Sequence, residues 1–109
     1  MTQPEPPQVP PQVQYEFTLA EQRISSGVYA NFLGVWHTPH EFTLDFAVTQ
    51  PPSMVQGPDG EPITRVPCEI VARVRVPPTV LFDFLRSINE NLTNYEAAFG
   101  PVQRPSVGD

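Results

Sequence analysis

The chain has 109 residues, with twelve acidic side chains against six basic ones, and a net charge of −6. All six cations are arginine and they form no run, which argues against direct nucleic-acid binding, where affinity comes from clustered cations displacing counterions. Cys68 is the single cysteine, so neither an intrachain disulfide nor a multi-cysteine zinc site can form.

No apolar run approaches the ~20 residues that cross a bilayer, so no membrane contact is expected. The first residues also lack the basic start and apolar centre of a signal peptide, and a cytoplasmic location is the expectation. Residues 1–13, "MTQPEPPQVPPQV", are rich in proline and poor in apolar side chains, a composition that favours solvated polyproline II over a packed element. They read as a disordered tail, and residues 101–109 as a second one. Between them, residues 14–100 form the single domain.

Residues 14–24, "QYEFTLAEQRI", alternate in a β-compatible way and are expected to add an edge strand. From Val28 to Trp36, "VYANFLGVW" crowds apolar residues with Gly34 as the one breaker, which suits a strand buried on much of both faces. "EFTLDFAV" then alternates strictly. Phe42, Leu44, Phe46 and Val48 fall on one side, directed to a core, and Glu41, Thr43, Asp45 and Ala47 on the side toward water. Because only residues 37–40 separate these two runs, they are expected to pair as an antiparallel hairpin.

Residues 49–67 contain five prolines and two glycines and read as a mobile surface loop with its tip at "GPDGEP". "CEIVARVRV" resumes the alternation, with Ile70, Ala72, Val74 and Val76 inward and Glu69, Arg73 and Arg75 outward. Arg73 and Arg75 are placed to meet Asp45 and Glu41 across the sheet. Cys68, without a histidine near it in sequence, reads as a buried or half-buried structural thiol.

After Pro77 and Pro78 the period becomes helical. Leu81, Phe84, Leu85, Ile88, Leu92, Tyr95 and Phe99 recur at three- and four-residue steps and make one apolar stripe. Pro78 suits a first helical turn, and Gly100 followed by Pro101 is a C-terminal stop. Phe82 lies off the stripe and needs a second surface to cover it.

"HTPHE" at residues 37–41 holds both histidines of the chain. A metal site would need the rings of His37 and His40 to converge with Glu41 or another ligand, yet residues three apart on a strand point to opposite faces. As turn chemistry the same residues fit well: Thr38 caps with its hydroxyl, Pro39 takes the next position, and Glu41 reaches back as in a capping box.

"YANFLGVWHTPHEFTLDFAV", followed after a gap by "ARVRVPPTVLFDFLRSINENLTNYEAAFG", resembles the small bacterial family of domain of unknown function 3467, over Tyr29 to Gly100. Asn31-Phe32, Thr38-Pro39 before Glu41-Phe42, Leu44-Asp45-Phe46, Arg73-Val74 and the closing "NYEAAFG" carry the resemblance. The chain departs from the family pattern at Pro77, where serine is usual, so helix entry is expected to be looser or capped by Thr79. A lysine common in the family's first helical turn is also missing. The resemblance implies an intracellular, noncatalytic accessory protein and brings no reaction, cofactor or functional residue with it. It also makes association with the transcription or translation machinery one of the alternatives.

The expected fold class is α+β: a small antiparallel sheet of three to four strands packed against one long C-terminal helix. One helix covers one sheet face, which leaves Tyr29, Leu33, Val35 and Val71, together with Phe82, as candidates for an interface. Homodimerisation would complete so small a core. The function expected is that of a noncatalytic dimeric adaptor, with no cofactor, that binds another, unidentified protein. The alternatives are a metal-dependent enzyme or sensor centred on His37, His40 and Glu41, and a nucleic-acid-associated factor using Arg73 and Arg75.

Overall fold

The computed structural model describes residues 12–103. Most of the two expected tails therefore lies outside the described residues. Five strands and one helix follow in order: β1 (Phe32–His37), β2 (Phe42–Thr49), β3 (Ser53–Gln56), β4 (Pro62–Arg65), β5 (Cys68–Val76) and α1 (Leu81–Phe99). β1, β2 and β5 form an antiparallel sheet with β2 in the centre, while β3 and β4 pair separately. The fold is α+β.

The β1–β2 hairpin forms where the sequence places it, with His37 opposite Phe42 as its last pair. The Thr38 hydroxyl accepts the backbone N–H groups of His40 and Glu41, each at 3.2 Å, and the Thr38 N–H donates to the Glu41 carbonyl at 2.9 Å. Turn donors that would otherwise lack partners are satisfied this way. At the other end of β1, the Asn31 side chain accepts the Thr49 N–H at 3.0 Å and its own N–H donates to the Ala47 carbonyl at 2.9 Å. Asn31 thus extends the ladder by one step.

Directly opposed residues share a sheet face. Leu33 and Val35 lie opposite Phe46 and Leu44, and these lie in turn opposite Ala72 and Val74, so all six belong to one face. Phe32, Gly34, Thr43, Asp45, Ala47, Arg73 and Arg75 belong to the other. Leu33 and Val35 therefore stand on the face the helix approaches, and the expected division of apolar residues is corrected there. A second correction comes from a bulge. Ala72 pairs with Phe46, but Ile70 pairs with Ala47, so Val71 is an extra residue of β5 and the alternation inverts at that point. Ile70 and Cys68 join the face of Ala47, and Glu69 joins that of Val48.

The expected strand over residues 14–24 does not form. That stretch is irregular apart from a single 3-10 turn at Gln22–Ile24, and Phe17 is 93% exposed. Alternation alone makes no strand: β1 and β5 both present edges, and this stretch pairs with neither. Residues 49–67, in contrast, are more ordered than a loop: β3 and β4 make a hairpin around a Gly57–Glu61 tip. There the Gly57 N–H donates to the Glu61 carbonyl at 2.7 Å, and Gly60 takes φ 78°, a conformation glycine adopts without strain. Pro62 is tolerated because it opens β4 in a two-stranded ladder whose outer sides are free.

Chain entry to α1 is through a 3-10 turn, Pro78–Val80, without a side-chain cap on that turn or on α1. Thr79 does not supply one. The far end closes as its residues suggest, with Gly100 at φ 95° donating its N–H to the Glu96 carbonyl at 2.8 Å. Phe84, Ser87 and Ile88, on the first turns, border one apolar recess with Leu44, Phe46 and Val74 of the sheet. No residue of α1 is buried.

Candidate functional site

The best-organised group of side chains is on the sheet face away from the helix. Asp45, in the central strand, is 3% exposed, the one buried polar side chain among the described residues. Its carboxylate accepts from Arg73 Nε at 2.6 Å and Arg73 Nη2 at 2.9 Å, and from the indole Nε1–H of Trp36 at 2.8 Å. Both arginine contacts are charge-assisted and run side by side, the geometry in which a guanidinium matches a carboxylate best. Register explains the convergence: Arg73 lies directly opposite Asp45, and Trp36 is on the diagonal, two residues beyond Gly34, which opposes Asp45 on the other side.

Gly34 makes room for the indole. A Cβ at that position would stand 3.2 Å from Cζ2 of Trp36, so the ring lies close across the β1 backbone as it reaches Asp45. Asp45 was expected to face water and instead is covered by Trp36 and Arg73; Ala47 beside it, also assigned to water, is 2% exposed. The Arg73 guanidinium holds the Asp45 carboxyl below its ordinary value, with the Trp36 N–H acting in the same sense against the opposing effect of burial. In turn Asp45 raises the pKa of Arg73. With three donors on two oxygens, this carboxylate is engaged in holding the sheet face together. A general base needs a lone pair aimed at a substrate proton, and both oxygens of Asp45 are turned to Arg73 and Trp36 within the sheet face.

The second predicted pair, Arg75 and Glu41, approaches to 3.9 Å with both side chains partly exposed. Sequence reasoning anticipated the Asp45–Arg73 pair and missed Trp36. The signal available was a lone tryptophan two residues after a glycine at the end of an alternating strand.

The residues of "HTPHE" are turned to different partners. The His37 ring stacks on Phe42 with centroids 5.2 Å apart, His40 stands in the turn, and Glu41 is drawn toward Arg75. Among the described residues no group of three or more His, Cys, Asp or Glu side chains is placed to hold a metal ion. Glu41 does not reach back onto Thr38; its main chain closes the turn instead. Cys68 is exposed, correcting the buried thiol expected, and its Sγ–H donates to the Val66 carbonyl at 3.6 Å. Because the bulge turned its face, it borders the same shallow recess as Trp36 and Ile70.

The five interface candidates are all exposed but fall in separate places. Tyr29 precedes β1, Leu33 and Val35 are on the helix face, Val71 is the bulged residue of an edge strand, and Phe82 is on the first turn of α1 at 84% exposure. Far more apolar surface is gathered along the stripe of α1, where from Phe84 onward exposure runs from 40% at Phe84 to 76% at Phe99.

Compared with known families, residues 1–104 match the model of a protein of unknown function, DUF3467. The chain belongs to the DUF3467 family. The match is wider than the stretch that carries the resemblance in sequence and takes in the proline-rich start. In this DUF3467 protein the residues that carried the resemblance have physical tasks: Asn31 extends the β1–β2 ladder, Thr38 closes the turn, and Asp45 binds Arg73 and Trp36. No match was found among curated proteins or among solved structures. No helix among the described residues is long and apolar enough to cross a membrane.

Proposed function

We propose that this DUF3467 protein is a noncatalytic cytoplasmic accessory protein that works as a homodimer and binds another protein. One observation carries the reading: α1 holds a continuous apolar stripe from Leu81 to Phe99, and no residue of the helix is buried. Single exposed apolar residues are common on protein surfaces, but a contiguous stripe along 19 residues marks an interaction surface. The buried apolar residues among those described are Ala47 and Val76, so a protomer this thin gains from association. Tyr29, Val71 and Phe82 lie outside the stripe and are the residues offered to the second protein. The noncatalytic reading is supported by Asp45, the one buried carboxylate among the described residues, whose oxygens are all engaged by Arg73 and Trp36.

Light scattering on the purified full chain at micromolar concentration tests the dimer, and twice the protomer mass is the expected result. Affinity capture with Phe82→Ala and Tyr29→Ala tests the second part. Both variants should keep the dimer and lose a stoichiometric partner that the unaltered chain retains.

A further inference from the structure

Much of the stripe on α1 is left uncovered by its own sheet, with Leu92, Tyr95 and Phe99 at 42%, 51% and 76% exposure, and the chain between Leu81 and Phe99 contains neither glycine nor proline. Without such a break α1 has no sharp kink to bend its last two turns away from the line of its first. Phe84 and Ile88 already border the part of the sheet formed by Leu44, Phe46 and Val74. On the same face, toward the β1 edge, Leu33 and Val35 remain 46% and 49% exposed. Each protomer therefore carries an uncovered sheet patch and an uncovered helix end, and the one is complementary to the other in being uncharged: Leu33, Val35, Leu92, Tyr95 and Phe99 include no ionisable group apart from the tyrosine hydroxyl.

We infer, on the basis of the dimer reading, that the occupant is a second copy and that the helices are exchanged. Leu92, Tyr95 and Phe99 of each protomer lie over Leu33 and Val35 of the other. The contact is isologous, so both patches are covered at once. Taking about 170 Å² for a whole side chain of this kind, the exposed fractions of these five residues amount to about 450 Å² per protomer, and the exchanged helices, lying along the same face, also cover Phe84, Leu85, Ile88 and Val74, which brings the total to about 800 Å². Two protomers together bury about 1,600 Å², the size of a standard stable interface. The polar side of α1, with Arg86 and Glu90, stays in water.

Two tagged full-length chains, both carrying Cys68→Ser, are co-expressed, one with Val35→Cys and the other with Leu92→Cys. A short bis-maleimide is added and the linked mixed pair is counted by the two tags. The mixed pair should link at least tenfold more than Val35→Cys chains with one another, and Glu90→Cys in place of Leu92→Cys should return the yield to that background. Leu33→Cys with Tyr95→Cys repeats the test should the first pair fail to fold. A dimer by light scattering with no preference for the mixed pairs overturns helix exchange and leaves the dimer standing. A monomer at micromolar concentration overturns both.

Discussion

Leu85→Ala isolates the association because Leu85 is 62% exposed and is not among the residues bordering the recess between α1 and the sheet. The change removes three carbons, worth about 0.8 kcal/mol each when fully withdrawn from water. Only the exposed 62% remains to be buried on association, so the loss is about 1.5 kcal/mol per protomer and about 3 kcal/mol for a symmetric pair. At 1.36 kcal/mol per tenfold, the dimer dissociation constant should rise by roughly 100- to 200-fold. Alanine and leucine are both strong helix formers, so the helix itself is kept. A light-scattering dilution series on both proteins gives the two constants, and far-ultraviolet circular dichroism at high concentration confirms equal helix content. Constants that agree within twofold would refute the reasoning that the exposed stripe drives association.

Thr38→Ala removes the acceptor of two turn N–H groups and should cost about 1 kcal/mol, read as a fall of roughly 4–8 °C in thermal midpoint for a domain of this size. Gly34→Ala places a Cβ 3.2 Å from the Trp36 ring, and because Trp36 is the chain's one tryptophan, its emission spectrum should change while circular dichroism stays the same. An unchanged spectrum would mean that the indole does not lie against β1. The lowered pKa of Asp45 sets the sign of an acid effect: the stabilisation is complete above the ordinary carboxyl value of 3.8 and is lost as pH falls through the lower folded value. Thermal midpoints measured from pH 6 to pH 2 should therefore drop steeply at the acid end, and Asp45→Asn should flatten that limb.

Elements whose signals are local were legible in the chain alone. β2, β5 and α1 announce their periods of two and of three to four, Thr38-Pro39 is sufficient for the turn, and Gly100-Pro101 ends the helix, because each depends on residues only a few positions apart. Whatever depends on a partner strand emerged only in the folded chain. A period of two states that β2 has two faces but not which is covered, so the burial of Asp45 and Ala47 awaited Trp36 and Arg73 from the neighbouring strands. The extra residue at Val71 exists only relative to β2, and it turns Ile70 and Cys68 to the other face. Residues 14–24 carry a strand pattern yet pair with neither open edge of the sheet, whereas residues 53–65, inside the stretch that read as a loop, find enough pairing within themselves to form β3 and β4. Likewise, the stripe on α1 was legible as apolar, but how much of it the sheet leaves uncovered is a property of the folded chain.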